Sequence, residues 1–273
     1  MSYLMLIAGL IGAVLIYAIF RRIALVIGIV IAVLAFSLYQ SSPSKSMKID
    51  DHKGLIVGVS ADFPPFTFLN EQHQLTGFDV DLIKEIGHRM DMNVELQNMP
   101  FSSLLPALQL GRIQAICSGL TATPERAKHV LFTTPYLEGN PLIIVSRASE
   151  PYDTVESLHG KEVVVNAGYT ADLYMSKITD VHVRRLKSVA DAFLAFNSSR
   201  TAAFVTAQNT VKSFFEKKGM QQYAVATIPD TDENASIAVS PKCPDLLTKI
   251  QAALDVIKQD GSLKQLKNKW KLE

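Results

Sequence analysis

From Leu55 onward, short apolar runs rich in branched residues alternate with stretches whose apolar positions recur at helical spacing. This alternation confines most of the chain to an α/β architecture. Strands are expected at residues 55–59, 94–97, 113–117, 142–146, 162–166, 183–186, 202–206, 223–228 and 236–239, with helices between them. Ser188 and Asp191 give a capping start to a helix whose Val189, Ala192, Phe193 and Phe196 fall on one face, an aromatic stripe of core character. A helix from Pro244 carries Leu246, Leu247, Ile250, Leu254 and Ile257 on one side and is expected to stop at Asp260, with Gly261 as left-handed cap. Trp270, the only tryptophan, then belongs to a short tail helix that packs back on the preceding chain.

The segment AICSGLTATPER, Ala115 to Arg126, places a short strand, a cluster of small hydroxyl and glycine residues and an arginine within twelve positions. Ser118 and Thr121 can donate hydroxyl hydrogen bonds, Gly119 lets a ligand approach the backbone, and Arg126 offers a planar fork matched to two carboxylate oxygens. Thr123 reads as N-cap and Pro124 as first helical residue, so unpaired backbone N–H groups converge on the same place. The residue types suit capture of a small carboxylate.

Residues 3–20 and 23–39 form two apolar runs separated only by Arg21 and Arg22. Two charges at mid-membrane are costly and two residues are too few for a helical hairpin, so one span or a signal is the simpler reading. From Arg21 the chain has a basic start, an apolar core to Leu34, and Ala35 and Ser37 at a loose cleavage pattern, which places the native start of a signal near Phe20. An uncleaved anchor at the outer face of the inner membrane is the alternative. Residues 1–46 contain Arg21, Arg22 and Lys45 and no acids; without these three, 24 of the 27 basic residues stand against 26 acidic ones. That balance excludes a nucleic-acid partner. Cys117 and Cys243 are far apart and form no metal-ligand pattern; whether they pair is open. No catalytic residue, metal or cofactor is expected.

VGVSADFPPFTF (Val57 to Phe68), LTGFDVDLIKEIGHRM (Leu75 to Met90), MPFSSLLPALQLGRIQAI (Met99 to Ile116), the SGLTATPER loop and the late DGSLKQLKNKW follow one another in a fixed order. In that order the chain resembles the amino-acid-binding proteins of ABC importers, those for lysine/arginine/ornithine, histidine and glutamine. The resemblance covers about residues 54–273. It implies a two-lobed periplasmic-binding-protein type II fold with two hinge crossings, near residues 138–141 and 231–234, behind an N-terminal apolar signal or anchor. Residues 1–46 then form the leader and linker and 47–273 the binding domain, with lobe one at 54–138 and 235–273 and lobe two at 141–231. It further implies a monomer, outside the cytoplasm, that closes on a small-molecule ligand and signals occupancy to an ABC transporter permease.

The same resemblance implies a set of site residues. Phe63 and Phe101 correspond to the aromatic positions that flank the ligand side chain. Ser118, Gly119, Thr121 and Arg126 correspond to the carboxylate site, which Asn166, Gly168, Tyr169 and Thr170 complete from the second lobe, Tyr169 being bulkier than the usual small residue. Two positions depart from the pattern: Ser60 and Ala207 stand where the family places acids, the second being the grip on the ligand ammonium. A buried ammonium without its carboxylate partner costs about 3 to 5 kcal/mol, so another acid must substitute, with Asp62, Glu138, Asp172 and Asp232 as candidates. Asp79 and Asp81 belong to the start of a structural helix. Two further readings are an enzyme of the dehydratase kind on the same scaffold and a membrane-tethered sensor domain. Loss of the two acids counts against the enzyme, which needs a buried general acid in the cleft.

Overall fold

The computed structural model describes residues 27–28, 54–198 and 201–272, so the readings made for the two apolar runs fall outside the described residues. Among the described residues no helix is long and apolar enough to cross a membrane.

Strand β1 (Leu55–Val59) is buried except at the partly exposed Ile56 because it lies between two other strands of a sheet. It pairs in parallel with β5 (Val94–Asn98) and β6 (Ala115–Ile116). Strand β13 (Ala238–Val239) adds antiparallel to β6, and β7 (Leu131–Phe132) closes the edge, giving the order β5-β1-β6-β13-β7. Helices α1 (Phe78–Arg89), α2 (Phe101–Leu110), α7 (Pro244–Gln259) and α8 (Ser262–Lys269) belong to this lobe. Phe78, Leu82, Ile83 and Ile86 of α1 and Leu246, Ile250, Leu254 and Ile257 of α7 share one apolar cluster with β1. Helix α7 ends at Asp260 with Gly261 left-handed beyond it.

A second sheet has the order β10-β9-β11-β8-β12, built from β8 (Leu142–Arg147), β9 (Glu162–Asn166), β10 (His182–Leu186), β11 (Ala203–Ala207) and β12 (Tyr223–Thr227). Strands β9, β10 and β11 run in parallel, while β8 is antiparallel to β11 and β12. The helices of this lobe are α4 (Thr170–Met175), α5 (Val189–Ser198) and α6 (Gln208–Lys218). The α5 stripe is buried core, and the Ser188 hydroxyl accepts the Asp191 N–H at 3.0 Å as its capping pattern requires.

The chain passes between the sheets twice, and the two passages are laced together. The Asn140 N–H donates to Asp232 Oδ1 (3.0 Å), the Glu233 N–H to the Asn140 carbonyl (3.1 Å) and the Leu142 N–H to the Thr231 hydroxyl (3.1 Å). Strands β6 and β13 are shorter than their apolar runs. In β13 the reason is local: the Ile237 N–H goes to the Thr133 hydroxyl (3.0 Å) and the Ser236 N–H to the Leu120 carbonyl (2.9 Å), which breaks the ladder. The hairpin strands β2 (Asp62–Phe63), β3 (Thr67–Leu69) and β4 (Leu75–Thr76), like β7, are too short to carry a period.

The tail seals one side of the first lobe. Trp270 stands edge-on to Phe68, with ring centroids 5.9 Å apart, and its indole N–H donates to Asp81 Oδ2 at 2.7 Å. Lys269 pairs with the same carboxylate, and the next carbonyl, that of Lys271, accepts Lys212 Nζ of α6 in the other lobe at 3.1 Å.

Candidate functional site

The turn after β6 and the short helix α3 (Pro124–Ala127) are specified locally: the Thr123 hydroxyl accepts the Arg126 N–H and Pro124 opens the first turn. That turn aims the Arg126 side chain inward until only 5% of the residue is exposed. Its guanidinium donates from Nη1 to the Thr121 carbonyl and from Nη2 to the Gly168 carbonyl of the other lobe, each at 2.8 Å. Two of five donors are used, and three remain. Burial lowers the Arg126 pKa to about 10, and the Glu233 carboxylate partly offsets the effect.

Around Arg126 the loop before α3 is tightly held. Ser118, fully buried, accepts the Ser60 N–H on its hydroxyl at 3.0 Å, and the Ser60 hydroxyl donates to Asp62 Oδ1 at 2.8 Å. Gly119 has φ +58°, and a methyl group there would lie 2.7 Å from Cε1 of Phe63, so both the turn and the aromatic contact demand glycine. The Gly119 N–H donates to the Tyr136 hydroxyl (3.2 Å), which donates to Asp79 Oδ1 (2.8 Å). Asp79 is fully buried, its Oδ2 has no partner, and burial pushes its pKa up to about 7 against the pull of Tyr136. Thr121 bridges to Ala235, which ties the loop to the second crossing.

From the second lobe, β9 ends at Asn166, whose amide oxygen and nitrogen are both buried and unpartnered. Gly168 is fixed by its N–H to Asp172 Oδ2 (3.0 Å), and Asp172 is in turn held by Arg185 (2.8 Å) and Ser176. Tyr169 precedes α4, and its ring centroid lies 4.2 Å from that of Phe101 and 6.2 Å from that of Phe63. Phe101 also sits 5.9 Å beneath the Arg126 guanidinium carbon.

Eleven of the twelve sequence-predicted site residues, Ser60, Phe63, Phe101, Ser118, Gly119, Thr121, Arg126, Asn166, Gly168, Tyr169 and Thr170, lie on the segments that meet here. Ala207, the twelfth, closes β11 and packs in the apolar cluster of the second lobe with Leu142 and Ile228. Of the proposed replacement acids, Glu138 is exposed, Asp232 is spent on the Asn140 N–H and Asp172 on Gly168 and Arg185. Asp62 is near: burial raises its pKa, opposed by the Ser60 hydroxyl, the Val189 N–H and Tyr169.

The acid that the sequence does not reveal is Glu233, on the second crossing. The residue keeps some exposure, but its Oε1 is sealed from solvent without a partner. Burial drives its pKa up to about 7, against the lowering effects of the Thr170 hydroxyl and of Arg126. Arg126 and Glu233 therefore put a fixed cation and a buried acid within electrostatic reach of each other, a dipolar arrangement that can hold a ligand of the reverse polarity.

Comparison with known proteins identifies the family. The profile of the bacterial extracellular solute-binding proteins, family 3, matches residues 55–273. The chain is 32% identical over 219 residues to ABC transporter arginine-binding protein 1 of Escherichia coli (strain K12), covering 78% of this chain and 88% of that one. Among solved structures, a mutant of ArgBP from T. maritima superposes with a TM-score of 0.74 at 37% identity, covering 80% of this chain and 95% of its own. An ancestral arginine-binding protein bound to arginine gives 0.73 at 33% identity, covering 79% and 97%. The chain belongs to the bacterial extracellular solute-binding proteins, family 3, and is a binding protein rather than an enzyme.

Proposed function

We propose that this chain captures an α-amino acid between its lobes and presents it to the permease of an ABC transporter. The observation that carries this reading is a buried Arg126 with donors to spare, near enough to Glu233, whose Oε1 is sealed from solvent without a partner, for each charge to act on the other's titration. An amino acid zwitterion reverses that polarity, its carboxylate toward Arg126 and its ammonium toward Glu233. Ser118, Gly119, Thr121, Gly168 and Thr170 complete the carboxylate side, and Ser60, Phe63, Phe101, Asn166 and Tyr169 enclose the remainder. Glu233 takes over the role left empty by the absence of an acid at Ala207. The arginine-binding relatives support the amino-acid class.

Residues 1–46 serve in this reading as the signal or anchor that delivers residues 47–273, as a monomer, to the periplasm or the outer face of the inner membrane. Lobe one comprises 54–138 and 235–273, and lobe two 141–231. Native mass spectrometry of the protein against each common amino acid tests the reading. A one-to-one complex with at least one of them is expected; none at millimolar ligand would remove it.

A further inference from the structure

The space beside Phe63 and Phe101, which the amino-acid reading assigns to a ligand side chain, is filled by the ring of Tyr169. Tyr169 is 8% exposed, its ring tilted against Phe101 at 4.2 Å between centroids and edge-on to Phe63 at 6.2 Å. Its hydroxyl is buried, and the nearby Asp62 carboxylate raises its pKa further. The backbone that delivers this ring has little freedom. The Tyr169 N–H donates to the Asn166 carbonyl (3.1 Å), the Gly168 N–H is held by Asp172, and the Gly168 carbonyl sits on Arg126. Gly168 itself has φ +79°, a left-handed conformation that a side chain would strain. A ring of this size occupies the volume of a long aliphatic side chain, and it cannot leave without giving up its packing on Phe101.

The charged ends of the site, though buried, keep unused hydrogen-bonding groups. Arg126 retains three donors and Glu233 retains Oε1, so the carboxylate and ammonium of a ligand have partners whatever its side chain. Selectivity therefore falls on the space beyond the α-carbon. We propose that Tyr169 is a specificity-determining residue that restricts the ligand to an α-amino acid of small side chain, such as glycine, alanine or serine, and excludes arginine and other long side chains. This inference rests on the amino-acid reading above, and it separates this chain from relatives named for arginine.

Isothermal titration of the purified protein with alanine, serine and arginine, repeated on Tyr169→Ala and Tyr169→Phe, tests it. The wild type should bind alanine or serine at least ten-fold more tightly than arginine. Tyr169→Ala should gain at least ten-fold in arginine affinity and change less for alanine, whereas Tyr169→Phe, which keeps the ring, should retain the wild-type preference. Circular dichroism melting confirms that each variant is folded, and Tyr169→Ser replaces Tyr169→Ala if that variant is not. Arginine binding by the wild type as tight as alanine binding, or no gain of arginine affinity in the ring-deleted variant, overturns the inference while leaving the solute-binding reading intact. Binding of no amino acid by any of the proteins overturns that reading and this inference with it.

Discussion

Arg126 of the first lobe donates from Nη2 to the Gly168 carbonyl of the second at 2.8 Å, so the residue assigned to a ligand carboxylate also joins the two halves of the cleft. Replacement by alanine removes the only arginine placed at the site by the capped turn. We predict that Arg126→Ala weakens an amino-acid ligand by at least about 2 kcal/mol in calorimetry. Arg126→Lys should not restore it, because a point charge cannot reproduce two parallel hydrogen bonds. Unchanged affinity in the alanine variant would contradict the assignment.

The same bond predicts an effect without any ligand. A contact made only when the lobes approach favours the closed population by its own free energy. Small-angle scattering should therefore give a larger radius of gyration for empty Arg126→Ala than for the empty wild type, and a decrease in the wild type on adding ligand. Superimposable profiles for all three samples would mean that the lobes do not move about the paired crossings.

Glu233 makes ligand affinity depend on pH. Its pKa of about 7 in the empty protein means that below neutrality the acid is largely neutral and cannot pair with an ammonium. Affinity should rise with pH, by at most about ten-fold per unit below pH 7, and level off above it. Glu233→Gln should bind more weakly at pH 8 and show a flat profile between pH 5.5 and 8. A variant whose profile still rises as in the wild type would place the titrating group elsewhere.

Asp79 governs stability rather than binding. In the folded protein it keeps its proton up to about pH 7, whereas its ordinary pKa is 3.8. Between those values the folded state binds more protons than the unfolded one, so this contribution is complete below the lower value and is lost as pH rises to the higher one. Urea unfolding at pH 5 and 7.5 should show a loss of roughly 2 to 3 kcal/mol from this group in the wild type, and Asp79→Asn should remove that part of the slope. Because Asp79 reaches Gly119 through Tyr136, the substitution should also alter the Gly119 amide resonance in a nitrogen–proton correlation spectrum.

What could be read from the sequence was what neighbours along the chain decide. The Thr123 cap, Pro124 and the inward Arg126 lie within one turn, and the stripes of α5 and α7 are periodic over ten and sixteen residues. Glu233 had no such marker: it lies on a crossing without period, and its meaning comes from Arg126 and Thr170, brought to it only by folding. Tyr169 was visible as an oversized residue in a loop of small ones, but its place between Phe63 and Phe101 depends on three separate segments. Asp79 sits in the first turn of α1, where an acid is ordinary; the Tyr136 hydroxyl that makes it part of the Gly119 loop comes from the far side of the sheet sequence.

The chain has one tryptophan, and it stands at the tail where the Lys271 carbonyl receives Lys212 from the opposite lobe. Its indole is edge-on to Phe68 and bonded to Asp81, which holds the ring next to the seam. The lysine contact one residue away spans the two lobes, so their parting pulls it apart beside this half-buried ring. The protein thus carries its own optical reporter, through which the rate of opening can be followed by stopped-flow emission without attaching a dye.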